Sequence, residues 1–279
     1  MVKQHLSFWG AVGRLLVWGL LIVLVIIVLY PLLWMILSSL KDNNQFLSDP
    51  FGFPERLNWH NYVDAWNLGV SHYLINSLIV TVASVVLTTL VSAWAAFGLT
   101  KLVIPFGNIM LFVILGGLML APTVALIPLL RVLQELGIYN TLLALVVLYA
   151  AFRIPFITFL IRSYMVDLPH EVDEASRLDG CSRAQSFWRL IFPMSKPIIA
   201  SAVILQCLFA WNEYLFAFVF ISSDNTETLP VGLANLSSTL NTDYPMVFAG
   251  MTLAAAPMVV MFFVGQRYFV RGLADGIGK

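Results

Sequence analysis

Charge is scarce in this chain. Of its 279 residues, 11% are Asp, Glu, Lys or Arg, against roughly 25% in an average soluble domain. So few charged side chains cannot give a globule of this size a polar surface, which excludes a water-soluble enzyme. No surplus of either sign exists, with 15 Lys and Arg against 15 Asp and Glu, so nothing points to a nucleic-acid partner. Cysteine is equally sparse. Cys181 and Cys207 are too few for a disulfide framework or a four-ligand zinc site, and each reads as a small buried hydrophobe. His5, His60, His72 and His170 show no metal-ligand spacing and suit interfaces or solvated faces. Ten-residue segments of alternating polarity, the mark of a membrane β-barrel, are absent as well.

Apolar length is abundant instead. Hydrophobic residues make up 60% of the chain, and the mean hydropathy is +0.88. A bilayer core about 30 Å thick needs roughly 20 apolar residues per helical crossing. Six stretches reach that length: 15–37, 74–99, 108–130, 141–161, 197–221 and 246–268. The expectation is an all-α membrane protein, one domain over 1–279 with six transmembrane helices in a lipid bilayer. The first stretch, GRLLVWGLLIVLVIIVLYPLLW, is too long for a signal-peptide core and is read as a retained helix. Pro122, Pro128, Gly116 and Gly117 inside spans need neighbouring helices to satisfy freed backbone groups, so the spans form a bundle. Met110, Met119 and Met258 read as lipid-facing or packing residues.

Cation placement orients the bundle. With both termini cytoplasmic, Lys3, Arg14, Lys101, Arg162, Arg177, Arg183, Arg189, Lys196, Arg267, Arg271 and Lys279 lie inside. Lys41, Arg56 and Arg131 then lie outside, and Arg153 falls within a span. Retention of Lys and Arg on the cytoplasmic side makes this the expected orientation. The segment 222–245 agrees, carrying Asp224, Glu227 and Asp243 but no cation. Tryptophans and tyrosines around the ends of the first two spans, among them Trp34, Trp59, Tyr62 and Tyr73, suit the membrane interface.

One connection stands out, the cytoplasmic loop 162–196 between spans four and five. Asp167 and Pro169 suit a helix start, and Glu171, Asp173 and Glu174 occupy first turns where the helix dipole favours anions. Val172, Ala175 and Leu178 recur every three residues as a narrow apolar face, with Asp173 and Arg177 able to pair opposite. Gly180 supplies a left-handed stop, and Ser182 with Gln185 has capping-box spacing for a second helix ending by Pro193. The loop reads as helix, glycine, helix.

Glu174-Ala175-Ser176, then Gly180, then Leu190-Ile191-Phe192-Pro193 resembles the EAA motif of bacterial ABC importer permeases. That motif reads EAA, three residues, Gly, nine residues, Ile, one residue, Leu-Pro. The chain departs from it at Ser176, Leu190 and Phe192. Further family-like stretches are Pro31 to Lys41 (PLLWMILSSLK), Asn76-Ser77-Leu78, Ile127-Pro128-Leu129 and 136–141 (LGIYNT). Trp211-Asn212-Glu213-Tyr214, 229–233 (LPVGL) and Gln266-Arg267 follow, and the tail Gly272-Leu273-Ala274-Asp275-Gly276 echoes the family's glycine-rich end. The chain most resembles the carbohydrate-uptake branch, similar to the smaller maltose permease subunit.

The resemblance implies a type I importer in the bacterial cytoplasmic (inner) membrane. Its partners are a second homologous permease subunit, two copies of an ABC ATPase and an extracytoplasmic solute-binding protein. ATP and Mg belong to the ATPase subunits, and this chain needs no cofactor of its own. The loop, over 167–193, becomes a coupling helix. Glu171, Val172, Glu174, Ala175, Ser176, Leu178, Asp179 and Gly180 form its ATPase-coupling face, with Val172, Ala175 and Leu178 inserting. A rigid lever joined to two spans converts ATPase closure into rocking of the bundle.

Two ionisable residues, Arg153 and Glu213, fall at membrane depth, where a charge costs at least about 2.5–3.5 kcal/mol unless it faces protein or water. One reading is a buried ion pair joining spans four and five. The other puts Glu213, with Trp211, Asn212 and Tyr214, on the wall of a substrate cavity, where aromatic faces and planar polar groups suit a sugar; Arg153 then favours an acidic sugar. Two alternatives remain for function: a permease for a non-sugar solute, and an ATP-independent secondary carrier, whose folds usually show internal repeats not visible here. An intramembrane enzyme would need a nucleophile, base or metal set that the spans lack. The tail GLADGIGK does not have the spacing of a phosphate loop.

Overall fold

The computed structural model describes residues 8–102, 104–239 and 243–277. Among the described residues every regular element is helical: α1 (Phe8–Ser39), α2 (Asn43–Ser48), α3 (His60–Ala65), α4 (Ser71–Lys101), α5 (Gly107–Gly116), α6 (Pro122–Glu135) and α7 (Leu142–Val166). Then follow α8 (His170–Leu178), α9 (Arg183–Ser186), α10 (Phe192–Met194), α11 (Lys196–Asn212), α12 (Leu215–Phe220), α13 (Leu229–Thr239) and α14 (Tyr244–Ile277). Four stretches are long and apolar enough to cross a membrane: Gly13–Ser39, His60–Lys101, Leu142–Val166 and Tyr244–Phe263. The number rises to six when each of two bent pairs, Gly107–Met119 with Pro122–Glu135 and Arg183–Met194 with Lys196–Asn212, is taken as one crossing.

Two of the apolar stretches differ from the straight helices the sequence suggests. In 108–130 the axis turns by 101°. Pro122 has no N–H and disfavours a helical residue before it, and Ala121 is accordingly extended (ψ 126°). In 197–221 the helix stops at Asn212, because Glu213 is extended (ψ 123°), and restarts as α12 at Leu215.

The fold divides into two compact units, Met1–Leu68 with Leu236–Leu253, and Gly69–Asn235 with Ala254–Lys279. In the second unit α4 packs along α7, and α11 against both. The buried face of α4 is built from small and hydroxyl side chains, Ser77, Thr81, Ser84, Thr88, Ser92 and Ala96, at three- and four-residue spacing. Lipid tails are as apolar as leucine, so helices associate in a membrane by close approach, which small residues permit. Ser92 Oγ adds a crossing hydrogen bond to the Ile154 carbonyl at 3.3 Å. Two apolar cores result, one around Val80, Leu145, Tyr149, Ala210 and Phe216, the other around Ala93, Phe97, Ile157, Ile161 and Ala202.

In the first unit the turn after α1 is fastened by its own backbone. Lys41 is buried, and its Nζ donates to the carbonyls of Asp49 (2.8 Å) and Pro50 (3.0 Å). Asn61 Nδ2 donates to the Ser39 and Lys41 carbonyls, and Trp34 Nε1 to Pro50. Trp34, Phe46, Tyr244 and Phe248 meet ring to ring beside it.

Candidate functional site

The loop after α7 contains α8, a stop, and α9. Gly180 has φ +72°, and the Cys181 N–H donates to the Ser176 carbonyl at 2.9 Å. That six-residue closure needs a left-handed residue at the glycine, which has no Cβ to clash. Ser182 and Gln185 form a complete capping box: Gln185 N–H to Ser182 Oγ at 3.3 Å, Ser182 N–H to Gln185 Oε1 at 2.8 Å. The chain then continues through a wide turn, Phe187–Ile191, into α10, which ends at Met194, one residue past the expected end at Pro193.

The three-residue apolar row of α8 does not act as one face. Val172 packs onto the second core, whereas Ala175 is exposed and Leu178 is 88% exposed. At 100° per residue the row winds 60° backwards at each step, so Leu178 lies 120° from Val172 while Ser176 lies only 40° away. Ser176 is indeed buried, its hydroxyl 3.1 Å from Ser186 Oγ. Val172, partly buried, and Ser176 therefore anchor α8 inward, while Ala175, Leu178, Glu171, Glu174, Asp179 and Gly180 face outward. The side chains of His170, Asp173 and Arg177 lie outside the described residues, and so does the expected Asp173–Arg177 pair. Lys101, at the end of α4, donates to the Leu168 carbonyl at 3.0 Å and ties α4 to this loop. Cys181 and Cys207 are half-buried free thiols, more open than expected.

At the break between α11 and α12, Glu213 accepts hydrogen bonds from the backbone N–H of Phe216 (2.9 Å) and Ala217 (3.3 Å). Its carboxylate caps the second half-helix, an anion at the positive end of the dipole. Arg153 makes no ion pair with it. The guanidinium instead lies over the Phe209 ring, 4.2 Å from the centroid, with Phe156 at 5.4 Å. This corrects the ion-pair reading: the cation is stabilised by aromatic faces, and the anion by free N–H groups. Trp211 and Asn212 line an open cleft of about 340 Å³ with Leu229, Pro230, Leu233, Ala254 and Met258. Trp211 is buried and donates to the Ala254 carbonyl at 3.3 Å, while Asn212 donates to Leu208 at 2.8 Å. Tyr214 stacks on Phe218 instead of lining the cleft. The structure thus brings Trp211 and Asn212 together and leaves Arg153, Glu213 and Tyr214 off the wall.

A second constellation escaped the residue-by-residue reading. The segment between α12 and α13 is latched from three directions. Asn140, at φ +59°, accepts from the N–H of Ser222 (2.8 Å) and Ser223 (3.2 Å) and donates to Ser223 Oγ at 2.6 Å. Asn76 donates to the carbonyls of Asn225 and Glu227, and Ser77 Oγ accepts from the Leu229 N–H. Gly232 lies so close to the Tyr73 ring that an added Cβ would overlap it. The family-like stretches at 76–78, 136–141 and 229–233 carried these residues. Their partners lie as much as 152 residues away for Ser77 and Leu229, and further still for Gly232 and Tyr73, beyond any periodicity. Glu227, buried with Oε1 accepting from Asn235 at 2.6 Å, has its carboxyl pushed above the ordinary range. Burial is the main cause and the charge of Asp224 adds to it, while the Asn235 hydrogen bond opposes it. Among the described residues no three His, Cys, Asp or Glu side chains sit close enough to hold a metal ion.

Among the described residues the chain is all-helical, with several apolar helices long enough to cross a membrane and an exposed helix–glycine–helix loop. Residues 89–275 match the family described as binding-protein-dependent transport system inner membrane component, and the chain belongs to that family. It is 43% identical over 270 residues to the probable ABC transporter permease protein YurM of Bacillus subtilis (strain 168), covering 96% of this chain and 89% of that protein. It is 32% identical to the diacetylchitobiose uptake system permease protein NgcG of Streptomyces coelicolor, covering 92% and 86%. It is 31% identical to the trehalose/maltose transport system permease protein MalG of Thermococcus litoralis, covering 92% and 94%. Among solved structures, a bacterial ABC transporter involved in the import of the acidic polysaccharide alginate shares the fold, with a TM-score of 0.81, 21% identity, and coverage of 96% of this chain and 99% of that one. The protein is an ABC importer permease, and its relatives are named as transport components.

Proposed function

We propose that this chain is the membrane subunit of an ATP-driven importer for a sugar or oligosaccharide. It pairs with a second permease, takes solute from an extracytoplasmic binding protein, and is driven by two ATPase copies through the 167–193 loop, with both termini cytoplasmic. The outward face of α8 supports this reading best. Glu171, Glu174, Ala175, Leu178 and Asp179 are exposed on a helix whose opposite side, Val172 and Ser176, is bound into the bundle. A helix fixed on one side and free on the other transmits force between a partner and the spans. The carbohydrate reading draws on relatives named for diacetylchitobiose, for trehalose and maltose, and for melibiose, raffinose and stachyose.

The decisive experiment is uptake and ATP hydrolysis by the reconstituted complex with Gly180→Asp. A substituent at Gly180 meets nothing within 4 Å, so the new carboxylate projects into the space a docked ATPase would fill. Hydrolysis is expected to persist while uptake is lost. Normal uptake stimulated by substrate in this variant would remove the loop's assigned role. For the substrate, transport of neutral and acidic oligosaccharides is compared in wild type and Arg153→Ala. Because Arg153 is engaged by Phe209, equal losses for both classes are expected, whereas a selective loss of the acidic one would return Arg153 to the pathway.

A further inference from the structure

The two apolar cores of the larger unit are separated by a polar layer. On α4 the first core takes Val80 and the second Ala93, Ala96 and Phe97; between them Ser84, Thr88, Thr89 and Ser92 are buried. On α11, Ala210 belongs to the first core and Ala202 to the second. Gln206 falls four residues from each, hence on the same helical face. On α7, Leu145 to Ala150 and then Ile157 and Ile161 flank Arg153 and the Ile154 carbonyl that receives Ser92. Pro155 lies at the same level, and its missing N–H deprives the Ala151 carbonyl of its helical partner.

Gln206 is 0% exposed, and neither Nε2 nor Oε1 has a hydrogen-bond partner in the protein. Thr88 Oγ1, Thr89 Oγ1, Arg153 Nε and, one turn further along α7, Thr158 Oγ1 share that condition. Each buried polar atom left unpaired costs free energy, and these six include donors and acceptors on three neighbouring helices. Water is the one small ligand that serves both roles in a narrow space.

We propose that this layer is an internal water-binding site centred on Gln206, and that it forms the pivot on which α11 moves against α4 and α7. Interdigitated apolar cores resist sliding because they are close-packed. A layer bridged by water exchanges hydrogen-bond partners by reorienting the water, at little cost. The water site stands on the buried side chains alone, and its mechanical consequence rests on the importer reading.

The test uses the assembled complex in detergent, with water itself as the probe. Brief X-ray irradiation generates hydroxyl radicals from bound water, which label adjacent side chains regardless of bulk exposure. Labelling is expected at Ile154, Pro155 and Leu205 in the wild type. Gln206→Met, which keeps the length of the side chain and removes the amide, should abolish that label and lower uptake about fivefold, while the complex stays intact on gel filtration. Thr88→Val, an isosteric change, should weaken the label on its own. An unlabelled layer in the wild type overturns the site. A label lost in Gln206→Met with uptake unchanged overturns the pivot and leaves the importer reading untouched, because that reading is tested at Gly180.

Discussion

Glu213 and Arg153 show how a charged side chain is held among apolar helices without its opposite. Glu213 accepts from two N–H groups that the broken helix leaves free, and Arg153 spreads its charge over Phe209. Glu213→Ala should lower the melting temperature of the purified complex by an amount equivalent to about 1 kcal/mol. Glu213→Gln keeps an oxygen acceptor and should retain most of that stability, with the substrate concentration for half-maximal uptake unchanged in both. Glu227 provides a pH dependence. Its carboxyl is raised above the ordinary range in the folded protein, so the neutral form is favoured there. That contribution is fully present below the ordinary carboxylate pKa and is lost as pH rises through the raised one. Melting temperature should therefore fall, as pH rises above the ordinary carboxylate range, by more in wild type than in Glu227→Gln; parallel pH profiles would contradict this.

Helix ends do much of the work at the scale of elements. The stop at Gly180 needs φ +72°, a conformation that an alanine adopts at a cost of about 1 kcal/mol and an asparagine more easily. Uptake coupled to hydrolysis should rank wild type, then Gly180→Asn, then Gly180→Ala. Ser182→Ala removes the capping box of α9 and should raise hydrogen exchange in 182–186, reflecting a loss of about 1 kcal/mol. On the far side of the bundle α13 sits on the Tyr73 ring through Gly232. Gly232→Ala must displace a ring held between elements, and overpacking of this kind costs about 1–3 kcal/mol. A variant as stable as wild type would show that Tyr73 is free to move.

For the whole molecule, apolar surface is the governing feature. From Leu15 to Leu33 the sides of α1 are exposed and apolar all round, as befits a helix whose surroundings are lipid or another membrane subunit. Pull-down of the tagged chain should bring a second membrane protein and an ATP-hydrolysing protein with it. The chain purified alone should hydrolyse no ATP. Hydrolysis by the chain alone, or uptake that persists after deletion of the co-purifying ATPase, would refute the proposed mechanism.

Composition and local pattern were enough for the helical class, the glycine stop and the capping box, because hydropathy over 20 residues and spacings of three or four residues are properties of the chain itself. Family likeness was equally readable in short motifs such as Glu174-Ala175-Ser176 with Gly180. Which way α8 turns its apolar row, the breaks at Ala121 and Glu213, the separation of Arg153 from Glu213, and the seats of Asn140, Asn76 and Gln206 had to await the folded bundle. Each depends on a group contributed by another helix or on a bend that redirects one, and such encounters leave no periodic trace in the order of residues.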